Sequence, residues 1–284
     1  MSKQVVAVIG AGGMGESIAR RQGAGKILVL ADFNEELLNS KVAALQSDGF
    51  DVRGLTVDVS SRASVHEVAA AISALGPVTQ VIHTAGLSPT QAPIGAILAV
   101  DLLGVALVLE EFGSVIADGG AGVVIASMAG FTYPGLTPEQ EYALARVGAD
   151  ELLQLPFTSG DAVPDPGAAY GLAKRANQLR VRHASQAWGA RGGRVNSVSP
   201  GVISTAMGQQ ELDGESGLYM RAMIDASGTG RIGTPTDISN AVAFLLSPEA
   251  SYVSGTDLLV DGGVIGAVTT NPPSMLIDAI SALR

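Results

Sequence analysis

The run Gln4-Val5-Val6-Ala7-Val8-Ile9 is apolar and of strand length, and it breaks directly into Gly10-Ala11-Gly12-Gly13-Met14-Gly15 before a helical pattern resumes at Glu16-Ser17-Ile18-Ala19-Arg20. A Gly-x-Gly-x-x-Gly turn between a strand and a helix narrows the possible folds more than any other stretch of the chain. The glycines permit a tight turn and close approach of the backbone to a pyrophosphate. That anion then rests on the helix N-terminus, where free N–H groups and the helix dipole favour it. Gly10, Gly12, Met14 and Gly15 are therefore candidate cofactor-binding residues.

The same unit recurs downstream. Lys26-Ile27-Leu28-Val29-Leu30 ends in Ala31-Asp32, Gly54-Leu55-Thr56-Val57 runs into Asp58-Val59-Ser60, and Val78-Thr79-Gln80-Val81-Ile82 leads to His83-Thr84-Ala85-Gly86. Strand and helix in alternation predict an α/β protein with a Rossmann-type doubly wound parallel sheet, whose ligands sit beyond the carboxyl ends of the strands. A length of 284 residues suits one such domain, 1–284,. Asp32 lies where a carboxylate accepts hydrogen bonds from the adenosine ribose and repels a 2′-phosphate, so the expected cofactor is NAD rather than NADP,.

Composition excludes several partners. The formal net charge of −10 argues against nucleic acid and anionic membrane,. With no Cys there are no disulfides or thiolate sites, and His66, His83 and His183 show no ligand spacing, so no metal is expected,. The apolar stretch 93–112 is interrupted by Asp101 and ends in Glu110-Glu111, which reads as a buried helix rather than a membrane span,. A chain that is 47% hydrophobic and 15% charged keeps apolar surface for a partner subunit, so a homodimer or homotetramer is expected,. No signal peptide precedes the first strand, and the expected location is cytoplasmic,.

Tyr170-Gly171-Leu172-Ala173-Lys174 carries the chemistry. Residues four apart on a helix lie on one face, so the ammonium stands beside the phenol, and a nearby cation favours the phenolate. A phenol tuned in this way can trade a proton with an alcohol or a ketone.

Taken together, the glycine turn, Asp32, the Ser127-Met128-Ala129-Gly130 turn and Tyr170-x-x-x-Lys174 make the chain resemble the short-chain dehydrogenase/reductase family along nearly its whole length. The resemblance implies an oxidoreductase interconverting a secondary alcohol and a ketone by hydride transfer to or from NAD. Ser127, Tyr170 and Lys174 would be catalytic, with Asp101 where most relatives have Asn. Asp58, Val59, Ala85, Gly86, Pro200, Gly201, Ile203 and Thr205 would join Tyr170 and Lys174 in holding the cofactor. His83 replaces the usual Asn, and Met14 and Glu16 replace family glycines. A non-catalytic NAD sensor and a nucleotide-sugar epimerase or dehydratase of related fold are the alternatives.

Tyr170 follows Ser127 by 43 residues, a longer separation than most relatives show. The extra length, within 131–169, predicts an acidic helical flap near the active site, starting at the capping box Thr137-Pro138-Glu139-Gln140 and continuing with an apolar stripe of Leu144, Val147, Leu152 and Leu155,. Similar insertions in some bacterial hydroxysteroid dehydrogenase/carbonyl reductases suggest an apolar substrate; an effect on subunit contacts alone is the competing expectation. Segment 206–230, with Met207, Leu218, Tyr219, Met220 and Met223, reads as a substrate lid, and 264–284 as a tail that reaches across an oligomer interface,.

Overall fold

The computed structural model describes residues 3–90, 92–159, 162–214 and 216–272. In chain order its elements are β1 (Val5–Ile9), α1 (Gly13–Gln22), β2 (Ile27–Asp32), α2 (Glu35–Ser47), β3 (Asp51–Thr56), α3 (Arg62–Ser73), β4 (Val78–His83), α4 (Ile94–Ile97), a π-helical segment (Leu98–Gly104) and α5 (Val105–Val115). There follow β5 (Ile116–Ile125), α6 (Ala129–Thr132), α7 (Pro138–Arg146), a 3-10 turn (Ala149–Gln154), α8 (Pro166–Gly189), β6 (Arg194–Pro200), α9 (Ala206–Asp213), α10 (Gly217–Ala226), α11 (Pro235–Leu246), β7 (Asp257–Val260) and α12 (Val264–Thr270).

All seven strands are parallel, in the order β3-β2-β1-β4-β5-β6-β7. Parallel strands need both faces covered, which is why β1 reads as an unbroken apolar run; each of its residues is buried,. One face of the sheet packs on α1, α2 and α11, the other on α3, α5 and α8. The strand order reverses between β1 and β4, and a crevice opens at their carboxyl ends,.

Stretch 93–112 folds as α4, the π segment and most of α5. No helix among the described residues is long and apolar enough to cross a membrane.

The extra segment folds back on the main core. The Thr137–Gln140 capping box forms as expected, yet α7 stops at Arg146 and Val147 is extended. The stripe of Leu144, Val147, Leu152 and Leu155 is thus not the face of one helix. Arg180 of α8 ends it by donating to the Leu144 carbonyl at 3.0 Å and the Val147 carbonyl at 2.9 Å. Leu144, Ala149, Leu152 and Val163 are nonetheless fully or almost fully buried, packed with Leu102, Val105, Leu172 and Ala176. α8 is buried within this chain at Ala169, Ala173, Ala176 and Arg180, and α7 covers part of it. Of the predicted acidic outer face, Glu139 and Glu151 are exposed, Glu141 pairs with Arg175 and Asp150 with Arg62; Asp161 lies outside the described residues.

Candidate active site

The glycine turn closes so tightly that side chains have no room. Gly10 adopts a φ of 104°, and a Cβ on it would fall 2.5 Å from the Ala85 nitrogen. One on Gly15 would fall 1.9 Å from the Gly10 carbonyl oxygen. Thr84 ties the two turns together by donating to the Gly10 carbonyl at 2.9 Å. The N-terminus of α1 has no side-chain cap, so its free N–H groups remain for an anion,.

Asp32, at the end of β2, accepts from the Ala11 N–H at 2.6 Å and the Asn34 N–H at 2.9 Å. Beside it a cavity of about 630 Å³ runs past Gly10, Gly12, Met14, Gly15, Asp32, Asp58, Val59, Ala85 and Gly86 to Thr205. Asp58 is steadied by the Ser60 N–H and hydroxyl, at 2.9 and 2.6 Å. A glycine cradle, an uncapped helix N-terminus and a carboxylate at the far end suit a nicotinamide dinucleotide. Phe33 and Leu37, not anticipated from the sequence, complete the end near Asp32. Their signal was a pair of apolar residues one and five positions after a strand-end acid.

Pro200, Gly201 and Ile203 are not in this wall. Pro200 ends β6 and accepts from the Met128 N–H at 2.9 Å, while Gly201 and Ile203 line a separate cavity of about 200 Å³. Of the expected lid, Met207 lines the large cavity. Met220 and Met223 are buried with Val202 and Leu212, whereas Leu218 and Tyr219 are exposed. α12 opens the C-terminal segment, whose remainder from 273 lies outside the described residues.

The polar cluster forms where β4, β5 and α8 meet. Ser127 follows β5 in a turn held to β6 by Ala126 N–H to Val198 and Met128 N–H to Pro200, at 2.8 and 2.9 Å. Asp165 caps α8, with Pro166 in its first turn, and this presents Tyr170 and Lys174 one turn apart,. The Ser127 hydroxyl lies within hydrogen-bonding reach of the Tyr170 phenol. The Lys174 Nζ is 5.2 Å from the centre of the Tyr170 ring and 3.5 Å from the Asp101 Oδ2.

Asp101 has no exposed surface and accepts from the Leu87 N–H at 2.8 Å. Gly86 links this cluster to the cavity, since a Cβ there would sit 3.3 Å from both Asp101 Oδ1 and Lys174 Nζ. Any larger residue would press on that pair. Ser127, Tyr170, Lys174 and Asp101 thus stand together beside the cavity without forming part of its wall.

Burial dominates the electrostatics. It pushes the Tyr170 phenol above its ordinary range; Lys174 pulls it back and Asp101 pushes it further up. Burial works most strongly against the Lys174 ammonium, but Asp101 and Tyr170 together outweigh it and the net shift is upward. Buried His83 is held neutral, its pKa lowered to about 3 by burial first and Lys174 second. Glu211 on α9 was missed by sequence reading. Burial raises its carboxyl, Ser88 bonds it, and its charge reaches Tyr170. Only its distance of six residues from the cap Thr205 hinted at this site. Among the described residues no His, Cys, Asp or Glu cluster could hold a metal.

Residues 4–153 match the family described as short chain dehydrogenase, and residues 150–265 match that described as Enoyl-(Acyl carrier protein) reductase. The chain is 39% identical over 275 residues to short-chain dehydrogenase/reductase bsc3 of Alternaria brassicicola, covering 96% of this chain and 100% of that protein. It is 28% identical to D-threitol dehydrogenase of Mycolicibacterium smegmatis, with 89% of each covered. The crystal structure of levodione reductase superposes with a TM-score of 0.75 at 25% identity, over 94% of this chain and 99% of that one.

Proposed function

Because this chain belongs to the short-chain dehydrogenase/reductase family, and is thus an oxidoreductase acting between alcohols and ketones with a nicotinamide cofactor, we propose that it prefers NAD and uses Tyr170 as its proton donor and acceptor. The observation that carries the reading is the meeting of Ser127, Tyr170 and Lys174 beside a glycine-cradled cavity that ends at Asp32. When bound, the nicotinamide supplies or takes up a hydride at its C4. Tyr170 moves the proton between its phenol oxygen and the substrate oxygen. Ser127 donates to that oxygen and steadies negative charge as it develops. Lys174 supports the phenolate, and Asp101 holds Lys174 in turn.

NAD preference is supported by the Asp32 carboxylate, which would repel a 2′-phosphate,. The expected substrate is a small, mainly apolar secondary alcohol or ketone. The family assignment displaces the sensor and epimerase alternatives. We also read the apolar composition as that of a homodimer or homotetramer, between which light scattering decides, and a cytoplasmic location goes with this reading.

The test is NAD reduction by purified protein across a panel of cyclic, steroidal and small aliphatic secondary alcohols, with Tyr170→Phe alongside. General acid/base catalysis typically contributes about 10²–10⁴ in rate, so a loss of that order is expected in the variant. Undiminished turnover in Tyr170→Phe rejects the assignment.

A further inference from the structure

The Lys174 ammonium has two groups to serve, and Asp101 acts on it more strongly than Tyr170 does. Its Nζ is 3.5 Å from the Asp101 Oδ2 and 5.2 Å from the Tyr170 ring centre. Both members of the ion pair are buried, with Lys174 4% and Asp101 0% exposed. The second Asp101 oxygen is held by the Leu87 N–H at 2.8 Å, so the carboxylate is fixed on the Lys174 side. The π-helical segment carries Asp101 into this position.

We propose that Asp101 takes up the charge of Lys174, keeps Tyr170 protonated at neutral pH, and thereby sets the site to donate a proton to a ketone, making carbonyl reduction its favoured direction. This rests on the reading of Tyr170 as the proton donor. A cation stabilises a phenolate only with the charge that a nearer anion leaves uncompensated. Here a buried carboxylate lies 3.5 Å from the ammonium and acts on it more strongly than the phenol does; burial works against that carboxylate, while Lys174 and the Leu87 N–H favour its charged form, at a depth where water does not screen it,.

The other groups around Tyr170 do not reverse this. From α9 Glu211 adds negative character, and at the end of β5 Ser127 offers only a hydroxyl. His83 of β4, which Lys174 also influences, is neutral. α4 and α6, packed on the π segment and α8, bring no ionisable side chain. In the extra segment, Glu141 of α7 pairs with Arg175, and Asp150 of the 3-10 turn pairs with Arg62. Lys174 is thus the one cation among the groups acting on the phenol, and Asp101 acts on that cation more strongly than the phenol does.

The step balances without a further reactant. The carbonyl carbon accepts a hydride from the reduced nicotinamide, the C=O π pair takes the Tyr170 proton, and an alcohol and the Tyr170 phenolate remain. Solvent then returns a proton to the phenolate. Asp101 is a positioning residue throughout, acting through Lys174.

The experiment is a pH titration of the phenol, read by ultraviolet difference spectroscopy on the intact protein without substrate. Subtracting the Tyr170→Phe protein isolates Tyr170 from the other tyrosines. Asp101→Asn keeps an oxygen for the Leu87 N–H and removes the charge, so Lys174 turns to the phenol. The Tyr170 midpoint is expected to fall by about one pH unit or more. Asp101→Glu, which keeps the charge, is expected to stay near the parent value. Should the Asn variant fail to melt cooperatively, Asp101→Ser is titrated in its place. A midpoint that is unchanged or raised overturns the proposal. Full activity in Tyr170→Phe instead overturns the proton-donor reading, so the two failures are told apart.

Discussion

The Asp32 carboxylate has two duties, since it holds the glycine turn through the Ala11 N–H and lines the cavity at its ribose end. Asp32→Ala therefore lowers efficiency with both cofactors, and the informative quantity is their ratio. Juxtaposed like charges cost several kcal/mol, so removing the carboxylate is expected to shift the ratio of kcat/KM towards NADP by on the order of tenfold or more. Steady-state kinetics with both cofactors check this, and an unchanged ratio sinks the ribose assignment. The same turn was legible because its requirements are local: no Cβ fits at Gly10 or Gly15. His83 and Asp101 stood out in the sequence as departures, but their meaning did not. Asp101 and Lys174 are 73 positions apart, and no local pattern announces a 3.5 Å contact across that interval.

Helix α8 draws the upper half of the protein together. Its Trp188 is 1% exposed, donates to the Leu109 carbonyl at 3.0 Å, and fits where Gly113 of α5 and Gly122 of β5 leave space. Trp188→Ala would empty that space and remove the indole's bond to the Leu109 carbonyl. Large aromatic-to-alanine changes in a core cost about 3–5 kcal/mol, the loss expected in urea unfolding of this variant. A loss below about 1 kcal/mol would mean that the indole does not join these elements. The insertion teaches the converse lesson. The start of its helix α7 at Thr137 was readable from a capping box contained in four residues, whereas the end of that helix at Arg146 depends on Arg180, which arrives from a different helix. Burial lowers the Arg180 pKa to about 10. A cation that costs this much to bury repays it by binding two carbonyls at the end of α7.

Buried polar groups also give the fold a pH dependence. The native His83 pKa, about 3, lies below the unfolded value of about 6.5,. Between those values the unfolded chain holds a proton that the native chain does not, so this contribution to stability is intact above about pH 6.5 and is lost as the pH falls towards 3,. The slope reaches at most about 1.4 kcal/mol per pH unit. Thermal melts at pH 7.5 and pH 5 are expected to show a smaller acid loss for His83→Asn than for the parent protein. Equal losses would mean that the imidazole is already protonated, or solvated, in the native state.

From residue order alone came the parallel sheet, the dinucleotide turn and the placing of Tyr170 beside Lys174, because each rests on short-range rules; Ser127, 43 residues earlier, was joined to them only by the family resemblance. An apolar run makes a buried strand, a glycine admits what a Cβ forbids, and four residues make one helical turn. Tertiary packing decided the rest: that the insertion covers part of α8, that Pro200, Gly201 and Ile203 stand off the large cavity, and that Asp101 meets Lys174 in a buried 3.5 Å contact. These are outcomes of competition in space, between helix faces for one surface and between a carboxylate and a phenol for one ammonium. Sequence separation carries no distance with which to judge such contests.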